Sequence, residues 1–412
     1  MFIKIFVQIA LSGLLLCSCS NKKEDFSKEP GKYFIHSLES NNNIIQNRIL
    51  NVQEKQPFIE YNISGTQNRN IQLVSEPVFI ENDIITLNDS GELMRVEIQH
   101  SLKIKWKNKF FAQKEFCSNM SLAVKENLVI ATCGTNVVKA FDIHNGKEIW
   151  NTILDTAISS KPVFTNDFII LFAKNDAAYA LKFSTGELLW FIPSIANINH
   201  KTLTPNVPVI VQNKIIQQTA SDQVRSINVS NGGIEWTMNI GNTIEYTKGK
   251  EFLNAYNHIV VEGNNIYCVN SDGAVVKLKI GSYTLNWAQN LMISGELMLL
   301  DDKIIGINDL GQIIAISKSS GKTIWINNLN DKKKSTEPYN AVSYSKPIEY
   351  DGKIIVLSSN NRLMFIHSEN GGIVETRSLN AFGQPFVYNN KIYVLTNNGG
   401  KLIEICVTAP IK

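Results

Sequence analysis

All six tryptophans of the chain stand at one period. They fall at Trp106, Trp150, Trp190, Trp236, Trp287 and Trp325. The gaps are 44, 40, 46, 51 and 38 residues, a mean of about 44. A single spacing that uses every tryptophan of a 412-residue chain marks a structural repeat, and a repeat dictates the fold before any local propensity does.

The surroundings of the tryptophans repeat as well. Four of them close a Gly-x-x-x-Trp run: Gly146 to Trp150, Gly186 to Trp190, Gly232 to Trp236 and Gly321 to Trp325. Ahead of each glycine lies an apolar, β-branched segment, at 137–143, 177–183, 223–229 and 312–318. Ahead of that lies a second, at 127–133, 167–173, 213–219 and 302–308. A short third segment, often opened by proline, precedes these at 161–164, 207–211 and 346–350. Runs of this length bounded by Asn, Asp and Gly read as strands joined by tight turns. No sustained helical period follows residue 19. Four antiparallel strands every ~44 residues are the blade of a β-propeller. The glycine suits a turn needing positive φ. The indole offers a wide apolar face to the neighbouring blade and an N–H that needs an acceptor there.

Six units end at the six tryptophans. A seventh runs from about Lys346 to Leu379, with Glu375 or Thr376 in the tryptophan position. Residues 384–407 then supply three strands, and a fourth must come from elsewhere or leave a gap in the ring. The stretch 44–75 can supply it. The expected fold is therefore all-β: an eight-bladed β-propeller of four-stranded antiparallel blades over 44–408, closed by an N-terminal strand. A seven-bladed ring would leave 384–407 without a place.

Before the repeat stand two short segments. Lys4 precedes an apolar run, Ile5 to Leu16, too short to span a bilayer as a mature helix and suited to a signal peptide. It ends Leu16-Cys17-Ser18-Cys19, which resembles the bacterial lipoprotein box. The resemblance implies cleavage after Ser18, removal of 1–18 and lipid on Cys19; Cys17 is the poorer acceptor because Leu16 would precede it. An ordinary secretory signal is the other reading, and either takes the chain out of the cytoplasm. Ser20, rather than Asp, after the lipidated cysteine implies the outer membrane, periplasmic face. Residues 19–43 have no apolar period at their start and read as a flexible tether.

Charge excludes one large class of function. Lys and Arg number 40 against 37 Asp and Glu, a net +3, so no basic excess points to nucleic acid. Six scattered histidines, with no H-x-x-x-H or H-E-x-x-H spacing, give no metal-ligand pattern. There is no Gly-x-Ser-x-Gly elbow, Walker loop or Rossmann fingerprint. The regular spacing of the tryptophans reads as blade docking, not as a stacking array for sugar or cofactor. Cys117 and Cys133 flank one hairpin and can bond across it in an oxidising compartment; a turn placed two residues later moves them out of register. Cys268 and Cys406 read as small core residues, and Lys332-Lys333-Lys334 as a solvated loop.

Gly-x-x-x-Trp at the blade end, with Ala140, Ala180, Ser226 or Ala315 in the third strand, resembles the pyrroloquinoline-quinone-type repeat over about residues 75–407. No tryptophan precedes Asp, as WD40 blades require. The lipoprotein box, short tether and single propeller resemble the BamB family, outer-membrane lipoproteins of the β-barrel assembly machinery. Blades 1, 5 and 7 depart from the pattern, with His100 or Ser101 near the first glycine position, Gly281 six residues before Trp287, and no tryptophan in blade 7. Quinone enzymes with this repeat often carry two adjacent cysteines, and this chain has no such pair. The resemblance implies a non-enzymatic scaffold without cofactor or metal, with the BamA-like periplasmic domains of the barrel-forming subunit as partner. A quinone- or small-ligand-binding propeller is the alternative. The connection after Trp190 offers Phe191, Ile192, Ile195, Ile198 and Leu203 outside a clear strand pattern. In the resembled family such connections face the barrel-forming subunit, which makes Pro193, Ser194, Ile195 and Ile198 the candidate contact. Alternatively these residues extend the outer strand and pack on blade 4.

Overall fold

The computed structural model describes residues 58–62, 76–88, 90–98, 102–111, 120–194, 207–241, 258–330, 342–379, 383–395 and 401–405. All lie in one of two compact units, Ile45–Lys412. They form eight four-stranded antiparallel sheets and no helix. Blade 1 is Val78–Ile80, Asp83–Leu87, Glu92–Ile98 and Leu102–Lys109. Blade 2 is Met120–Lys125, Leu128–Cys133, Val137–Asp142 and Glu148–Ile153, and blade 3 is Val163–Phe164, Phe168–Phe172, Ala178–Lys182 and Leu188–Ile192. Blade 4 follows as Val209–Val211, Lys214–Gln218, Gln223–Asn228 and Ile234–Asn239, and blade 5 as His258–Glu262, Asn265–Val269, Ala274–Lys279 and Thr284–Asn290. Blade 6 is Met298–Leu300, Lys303–Ile307, Gln312–Ser317 and Thr323–Asn328; blade 7 is Ile348–Tyr350, Lys353–Ser358, Arg362–His367 and Ile373–Ser378.

Blade 8 closes the ring. Its first three strands are Pro385–Tyr388, Lys391–Leu395 and Lys401–Ile405, and its fourth is Phe58–Asn62, antiparallel with Phe58 opposite Ile405 and Asn62 opposite Lys401. Eight blades closed by an N-terminal strand are therefore what the chain forms. The first strands of neighbouring blades adjoin, as between 1 and 2, 4 and 5, and 7 and 8, so the short first strands lie innermost.

The core is a set of layers between blades. Val129, Ala131 and Cys133 of one strand pack toward blade 1, while Ile130 of the same strand packs toward blade 3. Both faces are buried, so the second strand of blade 2, Leu128–Cys133, is buried along nearly its whole length, whereas the outer strand, Glu148–Ile153, buries little besides its tryptophan.

One irregularity recurs in seven blades. The third and fourth strands shift register by one residue just before the tryptophan position: Ala140 pairs with Trp150 but Phe141 with Glu148, leaving Ile149 unpaired. The same bulge occurs at Arg95/Val96, Ala180/Leu181, Ser226/Ile227, Lys277/Leu278, Ala315/Ile316 and Phe365/Ile366. A bulge re-aims the side chain beside it. Here it turns the indole inward and the extra residue outward, which is why Ile149, Leu189, Ile324 and Val374 are exposed. In blade 7 the tryptophan position, opposite Phe365, holds Glu375.

Candidate partner-binding surface and the joints that hold it

Five of the six outer tryptophans lie on the turn glycine of the next blade. A Cβ on Gly146 would fall within 3.0 Å of the Trp106 ring, and Gly186, Gly232, Gly321 and Gly371 stand likewise under Trp150, Trp190, Trp287 and Trp325. So the glycine answers two demands: φ near +70° and room for an indole. The indole N–H finds the expected acceptor three residues before that glycine. Trp106 Nε1 donates to the Ile143 carbonyl at 2.9 Å, Trp150 to Phe183 at 3.3 Å, Trp190 to Val229 at 2.8 Å and Trp287 to Lys318 at 3.3 Å. Trp236 and Trp325 Nε1 meet no acceptor among the described residues. A second tie, not read from the sequence, stands two residues after the tryptophan: Asn108, Thr152 and Asn327 donate to the carbonyls of Gly146, Gly186 and Gly371.

The joint between blades 4 and 5 corrects the sequence reading. The turn position under Trp236 is Tyr283, not Gly281, with φ 53° and its N–H on the Lys279 carbonyl at 3.0 Å. Its ring lies 4.7 Å from that of Trp236. A tilted ring-on-ring contact, at 39°, replaces the bare glycine face, and a bulky residue occupies a left-handed conformation it normally avoids.

The connections from outer to inner strands share one face with the turns between second and third strands. Polar contacts tie these turns together around blade 4. Asp176 of blade 3 accepts from the Ala220 N–H of blade 4 at 2.9 Å. Arg225, fully buried, donates to Gln217 Oε1 and to the Asp176 carbonyl, both at 2.7 Å. Burial pulls the Arg225 value down, and the nearby Asp176 carboxylate opposes that. Asp222 accepts from both the N–H and the hydroxyl of Ser271 in blade 5. Single-sequence reasoning missed this network; the adjacent buried pair Gln217-Gln218 in an otherwise apolar strand was its one visible trace. At the inner ends of blades 5 to 7, Glu296 lies 2.7 Å from Lys346 and 3.8 Å from His258. Burial pushes His258 down to about 4, against the pull of Glu296 and with the help of Lys346.

The candidate contact residues divide. Phe191 and Ile192 follow the alternative reading and belong to the outer strand of blade 3: Ile192 is buried opposite Ala178 and packs with Ile215 and Ile227 of blade 4, and Phe191 stacks on Tyr179 at 5.1 Å. Pro193 is exposed and Ser194 half-buried. Ile195, Ile198 and Leu203 lie outside the described residues, as do Cys19, Cys117, Cys406 and Lys332–Lys334. Cys133 is buried and disulfide-bonded, to a partner outside the described residues. Cys268 is a buried free thiol held well above the usual thiol range by burial. Among the described residues no three His, Cys, Asp or Glu side chains converge as a metal site.

Fold and joints together define a propeller of the quinone-type repeat, with its inter-blade connections on one face. A family model described as outer membrane protein assembly factor BamB matches residues 106–327, more than half of the chain, and the chain belongs to that family. An uncharacterized protein of Rickettsia prowazekii is 26% identical over 267 residues, 64% of each chain. The outer membrane protein assembly factor BamB of Shewanella oneidensis is 22% identical over 278 residues, 64% of this chain and 65% of that one. The chain thus spans about 64% to 65% of these relatives' length. The crystal structure of BamB from Moraxella catarrhalis superposes with a TM-score of 0.68 at 13% identity, over 84% of this chain and 99% of that one; at this identity the likeness is one of fold.

Proposed function

We propose that the chain is a non-enzymatic scaffold of outer-membrane β-barrel assembly, held at the periplasmic face of the outer membrane by lipid on Cys19 and acting without cofactor or metal. The observation that carries this reading is the family match across residues 106–327. Relatives bearing the family name are outer membrane protein assembly factors. A rigid ring with few free edges supports the reading, because it can present many connections at fixed spacing. The partner is the BamA-like periplasmic domains of a barrel-forming subunit, and the contact is Pro193, Ser194, Ile195 and Ile198. The Asp176–Ala220 and Asp222–Ser271 ties favour this face, since they fix blades 3, 4 and 5 against one another where that connection begins. We assign Cys117 as the partner of Cys133, because Met120, three residues on, pairs with Cys133 across the hairpin.

Ile195→Asp with Ile198→Asp tests the contact. Capture of the barrel-forming subunit from detergent-solubilised membranes is lost while melting stays normal. Binding by a stable variant removes this connection as the site, and a large fall in melting temperature makes the residues core. Intact mass of the membrane-bound protein reads the removal of 1–18 and the lipid on Cys19. A quinone absorbance in stoichiometric amount in the purified protein overturns the scaffold reading.

A further inference from the structure

The eight outermost strands differ in one residue type. That of blade 1, Leu102–Lys109, carries Lys103, Lys105, Lys107 and Lys109. The other seven hold no lysine. All four lysines are exposed. Lys105 is turned onto the buried Asp83 carboxylate at 2.9 Å, with Glu97 at 3.8 Å, and is committed inward. Lys107 meets Glu92 only at 3.7 Å, an exposed pair of little strength. Lys103 and Lys109 have no ion pair among the described residues. Asn108, donating to the Gly146 carbonyl at 2.7 Å, brings the next turn of blade 2 against this edge, and that turn carries the exposed Lys147.

Edge lysines can simply guard unpaired backbone against other strands. That purpose does not explain their distribution. The outer strand of blade 3, Leu188–Ile192, is the edge most in need of a guard, with Leu188, Leu189 and Phe191 exposed at 47%, 41% and 41%, and it holds no charge. The lysines stand instead beside the chain's entry into the ring. Blade 1 packs on blade 8 through Phe79, Phe386, Tyr388 and Tyr393, and the outermost strand of blade 8 is Phe58–Asn62. The N-terminal segment therefore joins the ring in the sector next to the lysine edge.

We propose that this edge is a contact surface for an anionic lipid bilayer, so that the propeller meets the membrane by the sector of its rim that includes blade 1. The inference rests on the reading of an N-terminal membrane anchor: a tether entering at blade 8 holds that sector near the headgroups, and Lys103, Lys107 and Lys109 supply the charge that complements them. Each lysine near such a surface multiplies binding about fivefold, and salt screens the effect.

The test is co-sedimentation of the chain from residue 19 onward, with Cys19→Ala so that no acyl group contributes, with vesicles of equal parts phosphatidylglycerol and phosphatidylcholine. Low-salt binding is expected, with loss at high salt and none to pure phosphatidylcholine. Replacing Lys103, Lys107 and Lys109 together by Gln lowers the partition coefficient about a hundredfold, while the same three as Arg restore it. Lys332, Lys333 and Lys334 replaced by Gln leave it unchanged. No binding at low salt, equal binding to neutral vesicles, or binding that survives the Gln triple variant overturns the proposal, as does a loss seen in the 332–334 variant instead. Intact mass reads the anchor separately, so failure of the anchor and failure of the surface are distinct results.

Discussion

Between blades 1 and 2 the outer contact is an indole on a glycine; between blades 8 and 1 it is a group of four aromatic rings. The first kind of joint is repeated under Trp106, Trp150, Trp190, Trp287 and Trp325, always with a tryptophan two or three residues from the end of its strand and a left-handed glycine in the next blade. The seam has neither. Phe79 of blade 1 lies 4.4 Å from Tyr388, 5.2 Å from Phe386 and 5.3 Å from Tyr393, and the Tyr388 hydroxyl donates to the Glu81 carbonyl at 2.9 Å. The fourth strand of blade 8, Phe58–Asn62, comes from the other end of the sequence and carries no tryptophan. Blade 1 has no glycine between Glu92 and Lys109 to receive one, and the apolar layer is filled from the inner strands instead. The lesson is that a repeat can specify a joint only where the chain passes continuously through the blade.

The largest expected effect lies in a regular joint. Trp150→Ala removes a buried aromatic and should cost about 3–5 kcal/mol in chemical denaturation; a change below 1 kcal/mol, by the same scale, would break the view that the indole holds blade 2 to blade 3.

Acid should separate the joints from the inner ends of blades 5 to 7. The tryptophan–glycine contacts contain no titratable group, whereas His258 faces Glu296 and Lys346. Its folded value of about 4 lies below the ordinary 6.5, so the unfolded chain takes the proton first. Stability is therefore full above about 6.5 and falls as pH drops towards about 4, by on the order of 3 kcal/mol. His258→Gln should flatten that window, and denaturation midpoints measured across it decide the matter.

At the seam, Phe79→Ala should cost about 2 kcal/mol, less than a fully buried ring because Phe79 is only half-buried. A cycle with Tyr388→Ala should return a coupling of about 0.5–1.5 kcal/mol. Additive effects would mean that the rings fill space without specific contact.

The smallest effect belongs to Tyr283→Gly, which rebuilds a regular joint between blades 4 and 5. Relief of the left-handed strain, about 1–2 kcal/mol, is set against loss of the ring contact with Trp236, about 0.5–1.5 kcal/mol. Stability should stay within about 1 kcal/mol of wild type by that balance. A marked loss would show the tyrosine to be a stronger joint than the glycine it replaces.

The tryptophan period, the glycine four residues ahead of four of the six and the three-strand remainder at 384–407 set the blade count and required a closing strand from the N-terminal side. These are local or periodic signals, set by strand length and turn chemistry, and they read directly along the chain. Tertiary structure alone chose Phe58–Asn62 as the closing strand, put Tyr283 in a turn where Gly281 was the nearest glycine, and decided between the two readings of Phe191 and Ile192 in favour of the outer strand of blade 3. It also placed a bulge before every tryptophan, which decides what each outer strand shows to solvent. The buried Arg225 among Gln217 and Asp176, and the aromatic seam, depend on residues from different blades meeting across a layer. Such meetings follow from blades stacking on one another and, at the seam, from closure of the ring: Asp176 and Arg225 stand 49 residues apart and Tyr388 and Glu81 307 apart, so no single strand or turn carries both partners.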